Sequence, residues 1–120
     1  MSKRDIVTEM NREQLASLLQ CNPGVVILKF TAEWCKPCKT IHDHVYKKFI
    51  SLPDTCICAD LDVDDNFDLY ALMKSKKQVR GIPSLLAYKK GTITYAADAS
   101  VSGSDTDALD FFFKEVLEML

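Results

Sequence analysis

The sequence predicts an α/β fold, with a central mixed β-sheet of about five strands flanked by about four helices. Three observations lead there. Val25-Val26-Ile27-Leu28-Lys29-Phe30 is a nearly continuous apolar run rich in β-branched residues, the pattern of a strand buried on both faces of a sheet. Strand-like and helix-like segments alternate from Ile6 to Lys76, as crossover connections require. Leu109, Phe112, Phe113, Val116, Leu117 and Leu120 recur at helical spacing and mark an amphipathic closing helix.

Taken in order, Ile6 to Met10 reads as a short strand. Asn11 then caps a helix, with Gln14 in capping-box position and Leu15, Leu18 and Leu19 on one face. Pro23-Gly24 ends it, and the buried central strand follows. Ile41, Val45 and Phe49 mark a second helix that stops near Leu52-Pro53. Thr55 to Val63 alternates as a strand, with Cys56 and Cys58 or their neighbours facing inward. Asn66 to Lys76 is helical, with Phe67, Leu69, Tyr70 and Met73 as its apolar side. Ser84 to Tyr88 and Thr92 to Tyr95 flank Lys89-Lys90-Gly91 and read as a hairpin.

The chain has 120 residues, 27% of them charged, with a net charge of −2. That length suits one domain, residues 1–120. A charge balance so near neutral leaves no basic face able to compete for nucleic-acid phosphates, although acids cluster from Asp60 to Asp68 and bases from Lys74 to Arg80. The opening MSKRDIVTEMNREQ carries charge where a signal peptide needs its apolar segment, and no apolar run is long enough to span a membrane. A cytoplasmic monomer is expected. Five cysteines, an odd count, argue against a stapled extracellular framework; in a reducing compartment a CxxC is more often catalytic or metal-binding.

That CxxC lies in "TAEWCKPCKTI", where the central strand gives way to a helix, the place an α/β sheet offers for a reactive group. If the helix begins around Cys35, the unpaired N–H groups and dipole at its start favour the thiolate. Cys38 lies one turn further on, within bonding range of Cys35. Pro37 costs nothing in a first turn and stiffens the loop between the sulfurs.

From Ile6 onward the chain resembles the thioredoxin family, in the order of its elements and in "FTAEWCKPCK", "DLDVDDN" and "VRGIPSLLAYKKG". A CxxC alone is a weak signal. Coupled to the buried strand before it and a Gly-Ile-Pro about 45 residues later, it is a specific one. The resemblance implies the thioredoxin fold and a thiol–disulfide oxidoreductase, a protein-disulfide reductase in electron transport and cell redox homeostasis. Cys35 would be the nucleophile and Cys38 the resolving thiol. Pro83 would be a cis-proline facing them, Ile82 would offer backbone groups to an extended substrate, and Trp34, with Lys36 and Pro37, would shape the contact surface. Trp34 also admits a plainer reading as a half-buried core aromatic. Protein disulfides would be the substrates, with a thioredoxin reductase or similar flavoprotein as electron donor. No cofactor and no metal are expected.

The chain departs from the family's pattern at several points. The buried aspartate on the central strand is matched here to Lys29, and the lysine on the neighbouring strand to Asp60. The charges are exchanged, so the two are expected to approach each other beneath the cysteines, with Asp60 the candidate acceptor for the proton of Cys38. The alternative is that both reach solvent separately. Asp43 replaces a helix-bending proline, which predicts a straighter helix. Tyr95 to Gly103 is longer than the family's usual hairpin end and would lie near the substrate-facing loops, as a partner site or a bulge with no role.

Rival readings are a zinc site and a binding or chaperone module without turnover. Zinc would use Cys35, Cys38, Cys56 and Cys58, with His42 and His44 nearby. Residues i and i+2 of a strand point the same way, however, a poor bite for tetrahedral ligation. Cys56 and Cys58 read as small buried hydrophobes, Cys21 as a semi-exposed thiol, and the two histidines as surface residues. Asp60, Asp62, Asp64 and Asp65 fail as a calcium loop, because Asp65 and Ala71 stand where glycine and glutamate are needed. The binding-module reading keeps the fold, which never by itself implies turnover.

Lys36 replaces the family's usual glycine between the first cysteine and the proline. An ammonium about 8 Å from a thiolate across water lowers the thiol pKa by only a few tenths of a unit. Titration of Cys35 should therefore give a slightly higher pKa in Lys36→Gly than in wild type; an equal or lower value removes Lys36 from the tuning of this thiol.

Overall fold

In the computed structural model, which describes residues 5–120, the elements are, in chain order, α1 (Arg12–Gln20), β1 (Val25–Thr31), α2 (Lys36–Ser51), β2 (Cys56–Asp62), α3 (Phe67–Ser75), β3 (Ser84–Lys89), β4 (Ala99–Ser102) and α4 (Thr106–Glu118). The first four residues of the charged amino-terminal segment lie outside the described residues. The sheet order is β2-β1-β3-β4. β1 runs parallel to β2 and antiparallel to β3, and β4 closes the far side antiparallel to β3.

β1 is buried from Val25 to Phe30. Alternation along it feeds two cores. Val26, Leu28 and Phe30 pack with Leu15 and Leu19 of α1 and Leu69, Leu72 and Met73 of α3. Val25 and Ile27 pack with Ile41, Val45 and Phe49 of α2 and with Leu109, Phe112, Phe113 and Val116 of α4. By the same alternation Lys29 belongs to the α2 side.

Local signals explain the element ends. Asn11 caps α1 by accepting from the Gln14 N–H while the Gln14 side chain accepts from the Asn11 N–H, a complete capping box. α2 runs unbroken for 16 residues with Pro37 in its first turn. On the surface His44 Nε2 and Asp110 Oδ1 are 2.7 Å apart and Lys48 Nζ is 3.3 Å from the same oxygen, tying α2 to α4. The His44 contact, with Lys48 adding, holds the Asp110 carboxyl below its usual range.

Four expectations need correction. The strand expected at Ile6 to Met10 is reduced to one parallel bridge, Val7 to Ala59. The hairpin partner of β3 is Ala99–Ser102 instead of Thr92 to Tyr95, with Ser84 opposite Ser102 and Ala87 opposite Ala99. The chain does turn at Gly91, whose φ is +99°. The following residues are then pulled off the sheet: the Tyr95 carbonyl accepts from the Tyr88 hydroxyl at 2.8 Å, the Tyr95 hydroxyl donates to the Arg12 carbonyl, and the Ala97 N–H donates to Gln78 Oε1. Burial, with Asp98 and Tyr95 adding, pushes the Tyr88 phenol up and keeps it a donor. Tyr95 to Asp98 thus sits at the Lys89 end of β3, and only the Gly103 end, whose N–H donates to the Pro83 carbonyl, lies beside the Gly-Ile-Pro loop.

The third correction concerns Phe67, which is 68% exposed. Leu69, Leu72 and Met73 define the buried face of α3, and Phe67 falls on its opposite side, about 200° around the helix from Leu69. Last, Leu117 and Leu120 are exposed, because Leu117 sits at the edge of the apolar stripe and Leu120 follows the helix end.

Asn66 staples the turn after β2 to the amino-terminal segment. Its buried amide donates to the carbonyls of Thr8 (3.1 Å) and Asp62 (3.0 Å), and its Oδ1 accepts from the Met10 N–H at 2.8 Å. Asn66→Ala leaves those groups unpaired and should lower stability by about 2–3 kcal/mol, read in urea as a lower midpoint at unchanged m-value. An unchanged midpoint would show that these bonds contribute nothing.

Candidate active site

Parallel pairing of β1 with β2 ends at Thr31 and Asp62, and the chain crosses from there into α2 at the carboxyl edge of the sheet. Cys35 is the N-cap of α2, and its Sγ accepts from the Cys38 N–H at 3.3 Å. Cys35 and Cys38 are joined as a disulfide, with Cα atoms 5.3 Å apart. Both are buried. The unpaired N–H groups of the first helical turn thus point toward the Cys35 sulfur.

The Ile82–Pro83 peptide is cis, and the Ile82 carbonyl oxygen lies 3.9 Å from Cys35 Sγ. The loop is held by the Ser84 hydroxyl, which donates to the Gly81 carbonyl at 2.6 Å and lies 2.9 Å from Ser102 Oγ. Trp34 is 69% exposed, so it is not a core aromatic. Its indole N–H donates to Asp64 Oδ2 at 2.9 Å, which fixes the ring beside the disulfide. Lys36 and Pro37 are exposed on the same rim.

Beneath the cysteines the two exchanged charges meet. Lys29 and Asp60 are register partners on β1 and β2. The Lys29 ammonium donates to Asp60 Oδ2 at 3.5 Å and stands as far from Oδ1, a buried oxygen that accepts no hydrogen bond among the described residues. Lys29 is 1% exposed and Asp60 23%, so the separate reach to solvent does not occur. A cleft of about 350 Å³ is shared by Asp60 and Cys38, and His42, Asp43 and Asp62 line it with the β1–α2 loop.

His42 was expected only as a surface residue. It is 56% exposed, yet its Nδ1 stands 4.0 Å from Asp60 Oδ2. The available signal was spacing, since His42 is four residues after Cys38 on one helix and so shares its face. The hold of Asp64 on the exposed Trp34 was also missed; an indole N–H donates to an acceptor within reach, and the acidic loop after β2 supplies one. Cys56 and Cys58 are buried on β2 and Cys21 is exposed. Among the described residues no group of three or more His, Cys, Asp or Glu side chains is placed to hold a metal ion.

The Thioredoxin family model matches residues 6–115. The chain belongs to the thioredoxin family. The Cys35–Cys38 pair fits the CxxC site of that family. Relatives include the mitochondrial thioredoxin of Mus musculus, 30% identical over 92 residues covering 77% of this chain and 51% of that protein. Another is the thioredoxin of Pseudomonas aeruginosa, 33% identical over 88 residues, 71% of this chain and 75% of that one. The chain thus spans about half the length of the mitochondrial relatives it matches. Among solved structures, the short form of thioredoxin f from spinach chloroplast superposes with a TM-score of 0.72 at 21% identity, over 98% of both chains, a likeness of fold.

The Lys29–Asp60 contact can be measured in this thioredoxin-family chain by a double-mutant cycle. Asp60→Leu strands a buried ammonium and should cost about 3–5 kcal/mol; Lys29→Met should cost less, because Asp60 reaches the cleft. The double variant should recover most of the loss. Strictly additive losses would mean that the two charges do not interact.

Proposed function

We propose that the chain is a thiol–disulfide oxidoreductase that reduces protein disulfides, working as a single domain and as a monomer. The observation that carries this reading is the placement of Cys35: an N-cap sulfur on a 16-residue helix, hydrogen-bonded by the N–H of the cysteine with which it pairs.

The reaction proceeds in two steps. The Cys35 thiolate attacks one sulfur of the substrate disulfide; a Cys35–substrate bond forms, and the other substrate sulfur leaves with the electron pair of the broken bond. Cys38 then loses its proton and attacks Cys35, forming the Cys35–Cys38 bond and releasing the second substrate sulfur as thiolate. The substrate gains two electrons and the protein loses them. Asp60, across the cleft from Cys38, is the acceptor for the Cys38 proton. Trp34, Lys36 and Pro37 form the contact rim, and Ile82 and Pro83 present backbone to an extended substrate segment.

A reductase must be returned to its dithiol form. The expected donor is an NADPH-dependent flavoprotein reductase of the kind that serves this family, in a reducing compartment, the cytoplasm. No described helix is long and apolar enough to cross a membrane. The binding-module reading is disfavoured because the cysteine pair, Pro37 and Pro83 are all in place, and a module that only binds needs none of the sulfur chemistry.

Insulin disulfide reduction tests the proposal. Wild type should be active, Cys35→Ser inactive, and Cys38→Ser should accumulate a mixed disulfide visible by mass. Full activity in Cys35→Ser would overturn the assignment of the nucleophile, and an inactive wild type would favour the binding module.

A further inference from the structure

The exchange mechanism leaves one proton unaccounted for. Cys38 is buried, and the carboxylate that takes its proton is paired with an ammonium that is itself 1% exposed. Once Asp60 is protonated, Lys29 becomes a buried charge without a counter-charge, which is costly. The proton therefore has to leave Asp60 quickly. Burial falls outward along one path: Cys38 buried, Asp60 23% exposed, His42 56% exposed. All three line the same cleft.

We propose that His42 is the outlet of this path, carrying the Cys38 proton from Asp60 to solvent, and so sets the rate of the resolving step. The inference rests on the thiol–disulfide exchange proposed above and adds to it a residue that acts through Asp60 without touching the reacting sulfurs. The ring lies 4.0 Å from Asp60 Oδ2 through Nδ1, a gap that a small side-chain rotation closes to hydrogen-bonding distance. Nδ1 takes the proton from Asp60, and Nε2 gives one up to water. The imidazole ends the transfer neutral, Asp60 ends it ionised, and Lys29 regains its partner. The electrons stay with the sulfurs: the Cys35–Cys38 bond forms as the Cys35–substrate bond breaks, and the departing thiolate carries the electron pair.

The surroundings of His42 suit this role. On its own helix it has Lys39, Asp43 and Tyr46, whose ring stacks on it at 6.4 Å between centroids with planes 12° apart. From the loop after β1 comes Glu33, and from β2 come Asp60 and Asp62; Lys29 stands behind Asp60, 3.5 Å from its carboxylate. The stacked tyrosine limits the positions the imidazole can take. Imidazole is the side-chain type that exchanges protons near neutral pH, where an exposed carboxylate or ammonium does not. His44, two residues on, is committed to Asp110 at 2.7 Å and serves as an internal control.

The experiment follows the full chain in a Cys21→Ser background, which silences the exposed third thiol. The reduced protein is mixed in a stopped-flow instrument with 5,5′-dithiobis(2-nitrobenzoate); the first thionitrobenzoate released reports attack by Cys35 and the second reports resolution by Cys38. His42→Gln should slow the second release about tenfold at neutral pH and leave the first release unchanged. It should also flatten the rise of the second rate between about pH 5.5 and 8, and added imidazole should restore it. The equilibrium redox potential against glutathione should not move, because a proton path changes a rate and not an equilibrium. His44→Gln should match the parent. An unchanged second release in His42→Gln overturns the inference, as does a slower release that imidazole cannot restore or that comes with a shifted potential. If the parent itself gives no second release, the proposed exchange falls and the inference with it; if the parent resolves normally and His42→Gln equals it, only the inference falls.

Discussion

Burial of β1 on both faces is the constraint on which the rest of the structure depends. A strand with water on neither side must be covered twice, and the chain answers with α1 and α3 over one face and α2 and α4 over the other. Its parallel partner β2 obliges a crossover helix, so the chain leaves Thr31 at the carboxyl edge of the sheet and enters α2 within a few residues. That junction puts the first turn of a long helix, with its unpaired N–H groups, directly over the end of a rigid strand. A sulfur placed there receives a hydrogen bond without any dedicated side chain. The antiparallel partner β3 starts at the same edge and brings the Ile82 carbonyl to 3.9 Å from Cys35 Sγ. Both halves of the site therefore hang on one buried strand.

The same strand carries the one residue that its burial ought to exclude. Lys29 points to the α2 side between Ile27 and Thr31, in a row that is otherwise apolar until the strand ends. Its register partner is Asp60, so the parallel ladder itself sets the pair, and a slip by one residue would place Ala59 or Leu61 opposite the ammonium. Charge and register constrain each other here: the ion pair penalises misalignment of β1 against β2, and the ladder keeps the ion pair intact.

Much of this was legible in the sequence wherever a local rule and the tertiary environment agree. The apolar run of β1, the Asn11–Gln14 capping box and the helical spacing of Ile41, Val45 and Phe49 each demand one structure whatever surrounds them. The approach of Lys29 to Asp60 was legible for a different reason: the resemblance to the thioredoxin family picked out the two positions as an exchanged pair of charges, and a buried charge is costly without a counter-charge. What was not legible lay where a distant contact overrides a local pattern. Thr92 to Tyr95 has the composition of a strand, yet Tyr95 is claimed by Tyr88 and Arg12, and the ladder resumes only at Ala99. Phe67 is apolar by type, but the face of α3 is set by Leu69, Leu72 and Met73. His42 looks like any surface histidine until Asp60 is known to lie behind it.

Energetics indicate that such a pair adds little to stability. At 3.5 Å and an effective dielectric of about 20, opposite unit charges attract by about 5 kcal/mol, while removing each from water costs several. The two nearly cancel, so a pair of apolar side chains would hold these strands together equally well. What apolar side chains cannot do is accept a proton. Asp60 faces an ammonium that has nowhere else to go, and one of its oxygens accepts no hydrogen bond among the described residues while the other faces Lys29 and His42. A carboxylate arranged in that way, at the wall of a cleft shared with a buried cysteine, has spare capacity for one proton and a neighbour that makes keeping it unfavourable. Those are the two properties that the role proposed for Asp60, a transient base, would require, and the net charge of the pair stays at zero.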